Sequence, residues 1–344
     1  MDAILAPVDN LVAAQQASAA QLAISHDETF SVRRAVGSAG DHPITHSDPV
    51  LVASITKPMT ATAVMQLVEA GDIALDDPVS TYFPAFTGDG RDLVTVYHLL
   101  THTSGLPNML AENESLRRRN EPNDVFVDRT VEASLRFEPG AETAYQSMGT
   151  NLAGAIVEHV SGLSLRAYLR EHVFEPLGMH DTMLGLGDRS LADVVPCDVE
   201  PAAGDPGYDR WDWNSRYWRD FGAPWGGAHS TATDLLKFLT AFLDDGGPIL
   251  GAETVAAMTK LQTPGHEEAW GLGFQLGAER DHFGAAVSPA TFGHAGATGC
   301  VAWADPTREL VFACLTTLPL ADQPEDFLGT CSTAAVEAID SLSS

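Results

Sequence analysis

Strand-like segments stand at the two ends of this chain and helical ones lie between, which sharply limits the folds open to it. At the N-terminal end, after a helical pattern within residues 1–20, Gln21-Leu22-Ala23-Ile24-Ser25 and Phe30–Gly37 read as a hairpin around the turn 26–29. At the C-terminal end, Gly271–Leu276, Thr291–Gly296, Gly299–Ala304 and Leu310–Thr316 alternate like strands, and a helix over 331–342 follows. Between them the apolar spacing predicts helices over 55–70, 94–100, 151–161, 165–173, 232–243 and 252–261. The polar stretch 111–130, with Arg117-Arg118-Arg119, reads as a mobile surface helix or loop. The economical solution is an α/β (α+β) fold. One antiparallel sheet is built from both chain ends (1–75 and 226–344), is flanked by helices, and carries an inserted, mostly helical lobe (76–225).

Composition narrows the function classes. A formal net charge of -28 argues against nucleic acid or an anionic membrane as partner. No apolar run reaches the ~20 residues of a membrane span. The N-terminus lacks a basic region followed by an apolar stretch, so a cytoplasmic location is expected. Cys197, Cys300, Cys314 and Cys331 are scattered and read as four buried thiols, with no clustering with histidine that would suggest a metal site. Oligomeric state is not readable from the sequence.

Lysine is scarce: only Lys57, Lys237 and Lys260 occur. One of the three sits in the apolar stretch Val50-Leu51-Val52-Ala53-Ser54-Ile55-Thr56-Lys57-Pro58-Met59, three residues after a serine. On a helix that spacing puts Ser54 and Lys57 on one face, about a turn apart. A serine hydroxyl needs a base within hydrogen-bond reach, and a desolvated lysine can be that base. Acyl transfer further needs a proton route and oxyanion donors. Ser54 opens a helix, so its own N–H points where an oxyanion would sit. Tyr145 can shuttle a proton if Lys57 holds it near the phenolate form. His294 lies on an expected strand, and the small residues after it, Gly296 among them, let a substrate lie against the backbone. Ala297 is placed to give the second oxyanion N–H.

These residues, in this order, resemble the serine hydrolases of the class C β-lactamase family, which include β-lactamases, D-stereospecific peptidases and amidases, penicillin-binding proteins and carboxylesterases. Ser54-Ile55-Thr56-Lys57 fits the first family motif, Tyr145-Gln146-Ser147 falls at the place of Tyr-x-Asn, and His294-Ala295-Gly296 at that of Lys-Thr-Gly. The connecting stretches 68–79, 99–106, 175–179 and 227–235 fit as well. The resemblance implies a β-lactamase/transpeptidase-like fold and an acyl-enzyme on Ser54. It assigns the proton work to Lys57 and Tyr145, each lowering the other's proton affinity, and the oxyanion hole to the N–H groups of Ser54 and Ala297. His294, Gly296 and Ser147 would bind a small ester or amide. No metal or cofactor is implied.

Two departures bear on substrate. Ser147 replaces an asparagine with a shorter hydroxyl, and also fits a helix N-cap. His294 replaces a lysine, and imidazole is mostly neutral at pH 7. Both weaken the case for β-lactam hydrolysis and rank a carboxylesterase for small esters first. A β-lactamase or D-amino-acid peptidase is the first alternative, and a non-catalytic sensor of the same fold is the second. His102 and His229 read as structural hydrogen-bonders, Ser230 and Thr231 as caps for the following helix. The aromatic run Tyr208, Trp211, Trp213, Tyr217, Trp218, Phe221 and Trp225 either packs the lobe or, through Trp213 and Trp218, lines the acyl pocket.

Overall fold

The computed structural model describes residues 2–27, 30–199, 211–277 and 282–342. Helix α1 (Asp2–Ala13) leads into β1 (Ala19–His26), β2 (Phe30–Ala39) and the short β3 (His42–Pro43). After β4 (Val50–Leu51) and a 3-10 turn at Ala53–Ile55, α2 (Thr56–Ala70) runs until Gly71, whose left-handed φ of 81° closes it. The middle of the chain supplies α3 (Val96–Leu100), α4 (Asn113–Arg118), α5 (Asn123–Glu132), α6 (Ser147–Ser161), α7 (Leu165–Leu169), β5 (Met183–Leu184) and α8 (Arg216–Phe221). Then follow β6 (Ala228–Ser230), α9 (Ala232–Leu243), α10 (Ala252–Thr259), β7 (Gln275–Leu276), β8 (Phe292–Gly296), β9 (Cys300–Asp305), β10 (Leu310–Thr316) and α11 (Phe327–Leu342).

The two chain ends meet in one antiparallel sheet of order β3-β2-β1-β10-β9-β8-β7. β1 pairs with β10, Ala23 opposite Ala313 and Ile24 opposite Phe312. Because side chains alternate along a strand, the sheet has two distinct faces. Leu22, Ile24, Val301, Trp303, Phe312 and Cys314 pack against Ile4 and Val8 of α1 and Val336 and Ile339 of α11. The opposite face carries Ala19, Ala23, Ala302, Ala304 and Ala313, small residues that let helices lie close. There Phe238 and Phe242 of α9 meet Phe274 and Phe292, with Phe242 and Phe292 rings 4.9 and 5.1 Å from that of Phe274. A second sheet, β4-β6-β5, ties the approach to α2 to the segment before α9.

The expected antiparallel sheet flanked by helices is present, and several details differ. Residues 111–130 form two packed helices in place of a mobile stretch: Leu116, Arg117, Phe126 and Thr130 are buried. The charge run misled because Arg117 turns inward. The strand expected at 271–276 is reduced to β7, since Gly273 adopts a left-handed φ of 87°. Ser147 is the first residue of α6, whose cap is the extended Gln146. Thr231 does cap α9, accepting from Asp234 N, but Ser230 instead shares a hydrogen bond with Thr182. All four cysteines are buried and free. Among the described residues no helix is long and apolar enough to cross a membrane.

Phe274→Ala empties the centre of the aromatic layer under the sheet. It is expected to cost about 3–5 kcal/mol in urea unfolding; a loss under about 1 kcal/mol would mean that the layer collapses around the vacancy.

Candidate active site

The turn that carries Ser54 is held from three sides. Val52 N donates to Ala228 O at 2.9 Å, Thr298 Oγ1 donates to Leu51 O at 2.5 Å, and Thr56 Oγ1 donates to Ala53 O at 2.6 Å. Ala53 takes a left-handed φ of 45°, a strain of about 1–3 kcal/mol that persists only where neighbours over-determine the backbone. Gly296 is one of those neighbours. A β-carbon there would stand 2.3 Å from Val52 O, so the absent side chain makes room for the Ser54 turn. On the side where a Gly296 side chain would stand, the space is thus filled by the Ser54 turn. The same contact brings the exposed Ala297, in the turn after β8, close to the Ser54 segment.

Lys57 lies in the first turn of α2, three residues after Ser54, and is almost completely buried. Its Nζ is 3.1 Å from Ser54 Oγ and donates to Trp225 O at 3.0 Å. Burial pushes its pKa well below the ordinary lysine value, favouring the neutral amine. The amine also stands 4.6 Å from the centre of the Tyr145 ring.

Tyr145 reaches the same serine, its hydroxyl hydrogen-bonded to Ser54. Burial raises its pKa and nearby Glu268 raises it further, while the bond to Ser54 acts the other way. The resting side chain is therefore a neutral phenol. The expected mutual lowering of proton affinity is not what sets these shifts: Lys57 is lowered by desolvation, and Tyr145 is raised by it. Tyr145 is fixed by neighbouring rings, stacked on Trp270 at 5.9 Å and packed against His102 at 5.0 Å. Its backbone is fixed by the turn after α3: Ala144 N donates to His102 O at 2.9 Å and Gln146 N to His102 Nδ1 at 3.1 Å. Gln146 points the other way, bonded to Ser104 Oγ and to His98 O. His102 is thus a structural residue, as is buried His229, whose Nδ1 donates to Gly185 O.

Ser147, two residues after Tyr145 along an extended backbone, faces the same side. Its hydroxyl donates to Asn108 Oδ1 at 2.8 Å. His294 is buried on β8, its ring 5.9 Å from that of Tyr145 and its Nδ1 donating to Ala295 O at 2.6 Å. Among the described residues β7 pairs with Phe292 and Gly293 of β8 and not with His294.

The aromatic run joins the site differently from the expected pocket wall. Trp218 is buried in a cluster with Leu116, Phe126, Met148 and Trp225, stacked on Phe221 at 5.4 Å and covered by the Arg117 guanidinium at 4.0 Å. Trp213 is half-buried against that cluster, its carbonyl accepting from Arg219 Nε at 2.5 Å. Both are packing residues, and Tyr208 lies outside the described residues. What reaches Lys57 is the Trp225 carbonyl, which has no residue signature in a sequence. Trp270 and Glu268 were missed for a similar reason: no motif or period surrounds them.

Three comparisons place this geometry. A family model described as Beta-lactamase matches residues 6–329. Esterase EstB of Burkholderia gladioli is 38% identical over 167 residues, 43% of this chain and 42% of that protein. Penicillin-binding protein 4 of Amycolatopsis lactamdurans is 32% identical over 232 residues, 63% of this chain and 58% of that protein. The chain thus aligns with about half the length of these relatives. Among solved structures, a penicillin-binding protein homolog from Caulobacter crescentus superposes with TM-score 0.81 at 24% identity, covering 98% of this chain and 96% of that one. The D-amino acid amidase of Ochrobactrum anthropi SV3 gives 0.79 at 23%, covering 100% and 99%. At these identities the structural likeness establishes the fold.

Two measurements test the site's energetics. A buried lysine kept neutral penalises folding as pH falls below its ordinary value of 10.5. The unfolded chain binds the proton there and the folded one does not, until the depressed folded pKa is reached. Lys57→Met should therefore gain stability relative to wild type as pH is lowered from 10 toward 7 (~1.4 kcal/mol per pH unit at most), read from denaturant midpoints. A pH-independent difference would show that the amine is charged when folded. Trp218→Ala should cost about 3–5 kcal/mol and depress turnover of small and bulky substrates in parallel; a KM rise confined to bulky ones would restore the pocket role.

Proposed function

The chain belongs to the Beta-lactamase family of serine hydrolases, and on that premise we propose that it is a carboxylesterase that forms an acyl-enzyme on Ser54. The observation that carries the reading is the placement of Ser54 Oγ between the Lys57 amine, 3.1 Å away, and the Tyr145 hydroxyl, with burial favouring the neutral form of both. A neutral amine is a base, and a neutral phenol beside it can relay a proton.

In this reading Ser54 Oγ bonds to the ester carbonyl carbon as its proton passes to Lys57 Nζ. The negative charge on the carbonyl oxygen is met by the N–H groups of Ser54 and Ala297. The carbon–alkoxy bond then breaks, and the alkoxide takes the proton from Lys57 by way of Tyr145. Water attacks the acyl-enzyme along the same route, giving the acid and restoring Ser54. Lys57⁺, once formed 4.6 Å from the phenol ring centre, favours the proton's departure from Tyr145 at the moment the leaving group needs it.

Two features favour an ester over a β-lactam. Ser147 spends its hydroxyl on Asn108, and His294 is buried with Nδ1 committed to the adjacent carbonyl. Neither offers the amide or the ammonium of the family motifs. The identity with Esterase EstB points the same way.

Assays with p-nitrophenyl acetate and butyrate, nitrocefin and D-alanyl p-nitroanilide separate the candidates. Ester turnover should dominate, and Ser54→Ala and Lys57→Ala should each lower it at least ~10³-fold. The rate should fall on the acid side as Lys57 takes up a proton. Nitrocefin or anilide turnover above that of the esters would overturn the esterase reading; ester turnover that survives Ser54→Ala would overturn the mechanism.

A further inference from the structure

Two consecutive carbonyls of the segment before β6 are taken up by side chains one turn apart on α2. Thr60 Oγ1 donates to Pro224 O at 2.7 Å and Lys57 Nζ to Trp225 O at 3.0 Å. A third α2 side chain joins them, Thr56 Oγ1 accepting from Ala228 N at 3.0 Å. Pro224 is wedged between two helices. At Gly154 of α6 a β-carbon would come within 2.7 Å of Pro224 Cβ and 2.9 Å of its Cγ, so only glycine leaves this notch open. Downstream, Ala223 O accepts from Gly226 N and Gly227 N at 3.0 and 2.8 Å, closing the turn. The Trp225 ring is gripped by Phe126 and Phe221.

We propose that Thr60 and Gly154 are positioning residues for Lys57, acting through the Pro224–Trp225 segment they seat. A neutral amine has two N–H bonds and one lone pair. With one N–H committed to Trp225 O, the remaining rotations of Nζ are limited to those that keep it facing Ser54 Oγ, 3.1 Å away, where rotation about Cε–Nζ can present the lone pair to the hydroxyl proton. If that carbonyl drifts, the amine turns with it, and a displacement of about 1 Å at a reacting group can cost ~10²-fold in rate. Neither residue touches Ser54 or a substrate bound there, so the effect falls on the reaction and not on binding. The inference rests on the serine-hydrolase reading given above.

The test measures the rate at which a fluorophosphonate modifies Ser54, a step that needs an activated serine but no particular ester, together with kcat and KM for p-nitrophenyl acetate. Thr60→Val keeps the shape and loses the hydroxyl; Thr60→Ser keeps the hydroxyl. Thr60→Val should slow both labelling and kcat by about 10–100-fold with KM changed less than about twofold, and Thr60→Ser should recover to within about threefold of wild type. Gly154→Ala, which pushes on Pro224 from the other side, should slow labelling as Thr60→Val does, and it decides the matter if Thr60→Val does not fold. Folded variants that label at the wild-type rate, or a loss carried by KM, would overturn the positioning role. Failure of the wild-type protein itself to label at Ser54 would instead overturn the serine-hydrolase reading.

Discussion

Everything distinctive about this site follows from burying one amine. Lys57 sits in the interior with its Nζ shared between Ser54 Oγ and Trp225 O, and no carboxylate accompanies it there among the described ion pairs. Taking an ammonium out of water without a counter-charge is costly, so the group responds by favouring its neutral form. In the proposed mechanism, that cost is what lets Lys57 act as the base. The packing that enforces it is spread over the molecule: α2 itself, α6 packed alongside it, and the aromatic cluster that fixes Trp225.

The same constraint links parts of the chain that are far apart in sequence. The sheet is closed by the pairing of β1 with β10, and β8 ends against the Ser54 turn because Gly296 permits the approach. The left-handed Ala53 within that turn lies between Gly296 at the end of β8 and Gly226 ahead of β6. The middle segment contributes Tyr145 through a turn whose hydrogen bonds run from His102 to Ala144 and Gln146. The residues of the proposed mechanism and the strained Ala53 therefore converge at the junction of the sheet and the helices.

Much of this was legible in the sequence, for reasons of periodicity. Ser54 and Lys57 at helical spacing, the hairpin before them and the alternating strands at the end follow from the 3.6- and 2-residue periods. Tyr145 and His294 were identified by motif, and the structure brings their rings within 5.9 Å. What was not legible depends on burial or on backbone. The direction of the Tyr145 shift is set by surroundings that no local pattern encodes. Trp218 carries the same composition whether it lines a pocket or fills a core, and only the inward turn of Arg117 decides between them. That Gly296 also makes room for the Val52 carbonyl is visible only once the chain is folded. The Trp225 carbonyl could belong to any residue type.

The central claim is that the acyl group passes through Ser54 with Lys57 as base. It is tested most directly by mixing the protein with p-nitrophenyl butyrate, quenching in acid within milliseconds, and sequencing the peptides by mass spectrometry. The account predicts a butyryl group on Ser54 in the wild-type protein and none in Lys57→Met at the same time point. A butyryl group on another residue, or equal acylation of Ser54 without Lys57, would contradict it.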